Sequence, residues 1–169
     1  MSSSSEQEPW LRGPIDGVHP LLAPVLYAYE QAREDVHRWT EGLTDAQMWE
    51  APQGLGPVGF HVRHIGGSLE RLLTYAEGRQ LTTEQIAAMK LEKEPGEARQ
   101  DLLRRFDDAL DRAAALVRRI RPATLTDARE VGRKKLPSTV AGLLIHTTEH
   151  TQRHVGEIIV TAKIVKAAL

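Results

Sequence analysis

The chain has 169 residues, of which 41 % are hydrophobic and 27 % are charged, and its formal net charge is −1. This length and composition are typical of one globular domain, and the near-zero charge argues against nucleic acid or an anionic membrane as a partner. No apolar run approaches the roughly 20 residues of a membrane span, and residues 1–9 lack the pattern of a signal peptide. We therefore expect a cytoplasmic protein.

Cysteine is absent from the sequence, whereas histidine occurs seven times. The absence of cysteine excludes disulfides, cysteine-based zinc sites and a cysteine nucleophile. Any thiol chemistry would therefore need a thiol supplied by a small molecule. The histidines become the most informative residues for function.

The first 13 residues are predicted to be a flexible tail, and residues 14–169 to form a single domain. The tail is polar apart from Trp10 and Leu11, which are apolar enough to dock on the domain. Between residues 20 and 42 apolar side chains recur at helical spacing, and Pro20 suits a first helical turn. A first long helix is predicted there.

Further helices follow in the same way. A short turn of helix is predicted at residues 44–48, a second long helix at 58–77, and a short helix at 82–89. A charged connection at residues 90–96 leads to a third long helix that ends near Arg119.

The last part of the chain combines an irregular segment with a long helix. Residues 125–136 lack helical periodicity, and residues 137–139 supply a break and a cap before a fourth long helix that runs from Val140 almost to the end. Four long helices with a crossover-type connection indicate an all-α four-helix bundle, a fold that often builds metal sites from facing helices.

Three histidines lie at four-residue intervals on the last helix: His146, His150 and His154. Residues four apart are neighbours on a helix, with Cβ atoms about 5–6 Å apart, so two imidazoles can meet at one metal ion. At about 100° per residue, His154 lies closest to the apolar face and His146 furthest from it. The pattern favours His150 and His154 as metal ligands.

A further ligand is expected from the second long helix, where His61 and His64 compete. Periodicity slightly favours His61, which lies nearer the apolar stripe. Gly66 and Gly67 favour His64, because they leave room for a close backbone approach or a ligand at a cost near 1 kcal/mol each. The residues alone leave this choice open. The remaining two histidines, His19 and His37, are not expected to be ligands.

The two histidine motifs resemble those of the DinB/YfiT-like superfamily. These are Phe60-His-Val-Arg-His64-Ile and His146-x3-His150-x3-His154-x-Gly-Glu-Ile158, and the resemblance extends from about Val18 to the end of the chain. It implies a four-helix bundle of DinB-like type with long crossover connections. It also implies a divalent metal, zinc or nickel, held by His64, His150 and His154. Many members have Arg-Gly-Gln after the last histidine, whereas this chain has Val-Gly-Glu.

The resemblance also implies a function. It suggests a metal-dependent enzyme that acts on a small-molecule substrate and activates a low-molecular-weight thiol for S-transfer to an electrophile. The alternatives are a metal-dependent hydrolase that activates water, and a non-catalytic dimeric metal-binding module. A homodimer is expected from the habit of the family.

Other residues complete the predicted site. Ser68, Arg71 and Tyr75 share the helical sector of His64 and are predicted to bind the thiol or substrate, although Arg71 could instead pair with an acidic neighbour. Glu157 is the candidate catalytic acid or base, or a partner that orients a histidine. The basic segment at residues 129–135 could reach over the site to meet an anionic substrate, but a solvated loop is favoured.

Overall fold

The computed structural model describes residues 7–167. It contains six α-helices and a two-stranded antiparallel sheet within this range. In chain order the elements are α1 (Ala23–Thr40), α2 (Asp45–Met48), α3 (Val58–Ala76), α4 (Thr83–Lys90), α5 (Arg99–Arg119), β1 (Ala128–Val131), β2 (Leu136–Thr139) and α6 (Val140–Ala167). Within the described range, no helix is both long enough and apolar enough to cross a membrane.

The four long helices form the predicted bundle. Helix α1 packs against α5 and α6, and α3 packs against the same two helices. The successive long helices α1 and α3 are therefore diagonal to one another. Their apolar faces meet in a core that includes Val36, Ile65, Phe106 and Ile158, each of which is at most 2 % exposed. Burial of this apolar surface holds the bundle together.

Local capping explains where the shorter helices begin. The side-chain hydroxyls of Thr44 and Thr82 each accept a hydrogen bond from the backbone N–H three residues later. In return, the side-chain oxygens of Gln47 and Gln85 accept from the backbone N–H of the two threonines. These reciprocal bonds satisfy backbone groups that a helix start would otherwise leave unpaired. The predicted short helices at residues 44–48 and 82–89 are both present.

The first helix begins later than predicted. It starts at Ala23, and Pro24 rather than Pro20 occupies its first turn. Either proline would suit that position because a first-turn residue needs no backbone N–H donor.

Part of the predicted tail contacts the bundle. Residues 1–6 lie outside the described part of the chain, but Pro9–Leu11 form a short 3-10 turn. The Arg12 guanidinium donates to both carboxylate oxygens of Glu34 on α1, at 2.5 and 2.9 Å. Trp10 and Leu11 remain exposed, so Pro9, which is buried, and Arg12 contact the domain in place of the two apolar side chains that were expected to dock.

The irregular segment before α6 is a β-hairpin. Arg129 pairs with Ser138 in the register of its two strands, and Gly132 and Lys135 have positive φ in the turn. The Nε of Arg129 donates to the carbonyl of Ala76, at the carboxyl end of α3. The hairpin therefore covers one end of the bundle and leaves residues 137–138 in a strand, where a simple break was expected.

Candidate metal centre

Three histidines converge where α3 packs against α6. His64 lies on α3, and His150 and His154 lie one turn apart on α6. Their candidate ligand nitrogens all lie within 4.8 Å of one another. The ring centroids are 4.5 Å apart for His64 and His154, and 4.6 Å apart for His150 and His154. Side chains from two helices thus form a compact group that could hold one metal ion.

Each of these imidazoles has a neighbour at its Nδ1 atom. Nδ1 of His64 lies 2.6 Å from the Oε2 of Glu92, Nδ1 of His150 lies 3.3 Å from the Ser68 hydroxyl, and Nδ1 of His154 lies 2.8 Å from Nδ1 of His61. Partners of this kind fix the tautomer and the ring orientation of metal-binding histidines. The three Nε2 atoms are left as the natural ligands.

The electrostatics of the group favour neutral imidazoles. Burial, with a smaller electrostatic contribution from the neighbouring His64, lowers the pKa of His154 to about 3 and that of His150 to about 4. Only a neutral imidazole offers a lone pair to a metal, so both side chains are in a binding-competent state at neutral pH.

A buried carboxylate lies directly behind His64. Glu92 follows α4 in the charged connection and is only 5 % exposed. Its Oε1 accepts a hydrogen bond from Nη1 of Arg71 at 2.5 Å. Burial alone raises the pKa of the Glu92 carboxyl, but the hydrogen bonds from His64 and Arg71 outweigh burial and lower the pKa overall. No pattern in the sequence predicts a role for Glu92.

His61 lies beside the group and not within it. It is 5 % exposed, and burial lowers the pKa of its imidazole. Its Nδ1 contacts His154, and its Nε2 lies against Gly56, where a Cβ would fall only 2.6 Å away. In the competition between His61 and His64, the structure places His64 among the converging nitrogens and His61 behind one of them.

His146, the third histidine of the α6 series, lies at the edge. It is exposed and its Nδ1 pairs with Glu149 at 2.8 Å. His19 and His37 lie elsewhere: Nδ1 of His19 accepts from the backbone of Leu21, and His37 contacts Asp107 on α5. None of these three belongs to the converging group.

The other predicted site residues fall in different places. Ser68 contacts His150, whereas Arg71 pairs with Glu92, as its alternative interpretation held. Tyr75 is buried about three turns beyond His64 along α3. Glu157 is exposed, and within the described residues no hydrogen bond joins it to the histidines.

The basic segment does not reach the site. Arg129 is held at the end of α3, about 18 Å along the helix axis from His64. Lys135 lies 3.3 Å from Glu130 within the hairpin. The interpretation as a solvated connection fits these positions, and an approach over the histidines does not.

Two other residues border the histidines on the outer side. The Phe60 ring stacks on His64 with centroids 5.4 Å apart and its edge faces His154. The Lys93 ammonium lies 5.9 Å from the centre of the Phe60 ring. An apolar ring thus lies next to His64, and a cation lies next to that ring.

The comparisons with known proteins agree with this architecture. The family model described as the DinB superfamily matches residues 28–158. No curated protein matches the chain. Among solved structures, YfiT from Bacillus subtilis is similar at 16 % identity with a TM-score of 0.66, covering 91 % of this chain and 93 % of that one. It is described as "a probable metal-dependent hydrolase with an unusual four-helix bundle topology". The likeness confirms the predicted fold.

Proposed function

The chain belongs to the DinB superfamily, and from this premise we propose that it is a metal-dependent enzyme. In this proposal His64, His150 and His154 hold a divalent ion, zinc or nickel. The site activates a low-molecular-weight thiol for transfer to a small electrophilic substrate.

The observation that carries the proposal is the convergence of three imidazoles with a partner at each Nδ1. Their candidate ligand nitrogens lie within 4.8 Å of one another. Three neutral nitrogen ligands suit zinc or nickel, and three protein ligands leave room for a reacting molecule, as in catalytic zinc sites. Burial keeps His150 and His154 neutral, with pKa values of about 4 and 3. The residues present therefore fit such an ion.

A bound divalent ion supplies positive charge, which brings the pKa of a coordinated water to about 7 and favours the thiolate form of a coordinated thiol. The protein contributes the remaining parts. Ser68, Glu92 and His61 hold the ligand rings in place. Phe60 offers an apolar surface beside His64, and Lys93 offers a cation that can attract an anionic group. Because the chain has no cysteine, the thiol comes from a separate small molecule.

Hydrolysis is the second candidate. The specific observation in its favour is that the structurally similar YfiT is described as a probable metal-dependent hydrolase. The same three histidines would then serve a site that activates water. A site that binds metal without turnover would instead leave a binding module.

Metal analysis of the purified, tag-free protein tests the metal site. We expect about one equivalent of zinc or nickel in the wild type and a loss of stoichiometric metal in His64→Ala, His150→Ala and His154→Ala. His146→Ala is the matched control, since it removes an exposed imidazole one turn away on the same helix, and it should retain the metal. A wild type that stays empty after metal addition at neutral pH would contradict both enzymatic proposals.

Turnover of a model electrophile then separates the two reactions. Product formation that requires an added thiol, together with the metal, supports S-transfer. Cleavage of an ester or amide with metal alone supports hydrolysis. Metal binding without either activity would overturn both in favour of the non-catalytic module.

A further inference from the structure

The connection after α4 crosses the outer side of α3 and brings Glu92 to the back of His64. Glu92 is separated from His64 by 28 positions in the chain, yet its Oε2 lies 2.6 Å from Nδ1 of that histidine. Its other oxygen accepts from Arg71 at 2.5 Å. Both carboxylate oxygens therefore have partners on α3. The side chain is only 7 % exposed, so these partners replace water.

The surface of α3 is shaped to receive this carboxylate. A Cβ on Gly67 would collide with the Oε1 of Glu92 and would lie 2.8 Å from Nη1 of Arg71. Glycine costs an α-helix about 1 kcal/mol relative to alanine, so its presence in mid-helix needs a local reason. Access for Glu92 supplies that reason.

A second arginine fixes the connection itself. Nη1 of Arg63 donates to the carbonyls of Leu91 at 2.9 Å and Glu94 at 2.6 Å, on either side of Glu92. Its Nη2 donates to the Glu97 carboxylate at 2.9 Å. Five hydrogen bonds from Arg63 reach the backbone of this segment and the Glu97 side chain, so the position of Glu92 is set by the fold.

We infer that Glu92 is a positioning residue that accepts the Nδ1–H of His64 and so directs the Nε2 of that histidine into the three-histidine group. This inference rests on the proposed metal site and adds a residue that acts through His64 without touching the ion. The Arg71 guanidinium compensates the carboxylate charge, which makes burial of Glu92 tolerable.

The ligand histidines then differ in the strength of the hydrogen bond at Nδ1. His64 has a carboxylate at 2.6 Å, whereas His150 has a neutral hydroxyl at 3.3 Å. A charged acceptor makes a shorter and stronger hydrogen bond than a neutral one and increases the basicity of the opposite nitrogen. His64 is thus more firmly anchored than His150.

Zinc affinity, measured by competition with a chelator, tests this role. We expect Glu92→Gln to weaken zinc binding by about 10–100-fold, the usual effect of losing such a partner. Glu94→Gln is the matched control, because Glu94 lies on the same connection with an exposed side chain, and it should bind zinc as the wild type does. Unchanged affinity in Glu92→Gln, with both variants folded by circular dichroism, would overturn the inference.

The tautomer of His64 gives a second readout that needs no metal. In the metal-free protein at mildly alkaline pH, two-bond ¹H–¹⁵N NMR should show His64 with its proton on Nδ1, and Glu92→Ala should reduce that population. A proton on Nε2 in the wild type, or an unchanged pattern in Glu92→Ala, would contradict the inference. A wild type that binds no zinc would contradict the proposed metal site, while the tautomer would still decide whether Glu92 sets the state of His64.

Discussion

Helix α3 has two sides with different chemistry. Toward α6 it presents His61, His64 and Ser68, which contact other imidazoles. Toward α5 it borders a cavity of about 620 Å³, whose lining includes apolar groups such as Phe106 and none of the three converging histidines. Two arginines at that cavity, Arg63 and Arg105, both pair with Glu97.

The two sides of α3 show that a large cavity and a group of metal-binding side chains need not occupy the same place. A large cleft is the default candidate for a ligand site. Here the groups able to hold a metal lie at the other seam, where the histidine nitrogens converge. Glu92 stands at the boundary, since it lines the cavity and contacts His64. Variants at the cavity toward α5 should therefore change stability, and variants at the histidine group should change metal binding.

The largest effect on stability is expected at the α5 side. Phe106→Ala removes a ring that is 2 % exposed and should reduce the free energy of unfolding by about 3–5 kcal/mol. Urea denaturation measures this change. Metal content should stay at one equivalent while the protein remains folded, and a loss of metal from the folded variant would contradict the separation of the two seams.

The next largest effect concerns metal binding alone. Gly67→Ala should displace the ends of Glu92 and Arg71, and we expect zinc affinity to fall by about 10-fold through loss of the contact with His64. Because both displaced groups are flexible side-chain ends and alanine favours a helix by about 1 kcal/mol over glycine, the net change in thermal stability should be small. Chelator competition and thermal melting measured on the same sample would show this pattern, and a variant that melts early without losing affinity would refute it.

A smaller effect is expected where α1 meets α6. The Tyr29 hydroxyl lies 2.7 Å from that of Thr147 in the core, and Thr147 also donates to the carbonyl of Leu144. Tyr29→Phe removes one partner and should cost about 1 kcal/mol in the free energy of unfolding. Zinc affinity should be unchanged, because the hydrogen-bond partners of Thr147 are Tyr29 and Leu144 and not a histidine of the group; a coupled loss of affinity would show that this contact and the histidine group are linked.

The smallest expected effect is a gain in stability. Gly156 lies within α6 close to His154, and a Cβ there would meet nothing within 4 Å. Gly156→Ala should therefore stabilise the protein by about 0.5–1 kcal/mol without changing metal content. Thermal unfolding measures the gain. A destabilised variant would indicate that this exposed position is covered by another surface.

Periodicity and capping predicted most of the fold. The four long helices follow from apolar side chains at helical spacing, and the threonine–glutamine pairs at residues 44–47 and 82–85 mark two short helices. The hairpin was missed because Ala128–Val131 shows no apolar alternation and the paired strand contains Pro137, which argues against a strand.

The site was only partly visible in the sequence. Helical spacing brought His150 and His154 together, but it slightly favoured His61 over His64. Glu92 could not be found, because it lies in a run of charges and nothing local distinguishes it from Glu94. The one available signal was Gly67, whose missing side chain makes room for that carboxylate.

A crystal structure of the zinc-loaded wild type, with the ion located by its anomalous scattering, would test the proposed metal site. We expect one ion bound by the Nε2 atoms of His64, His150 and His154, at about 2.0–2.1 Å. Glu92 should remain hydrogen-bonded to Nδ1 of His64. An ion bound instead through His61 or His146, or directly by Glu92, would contradict it.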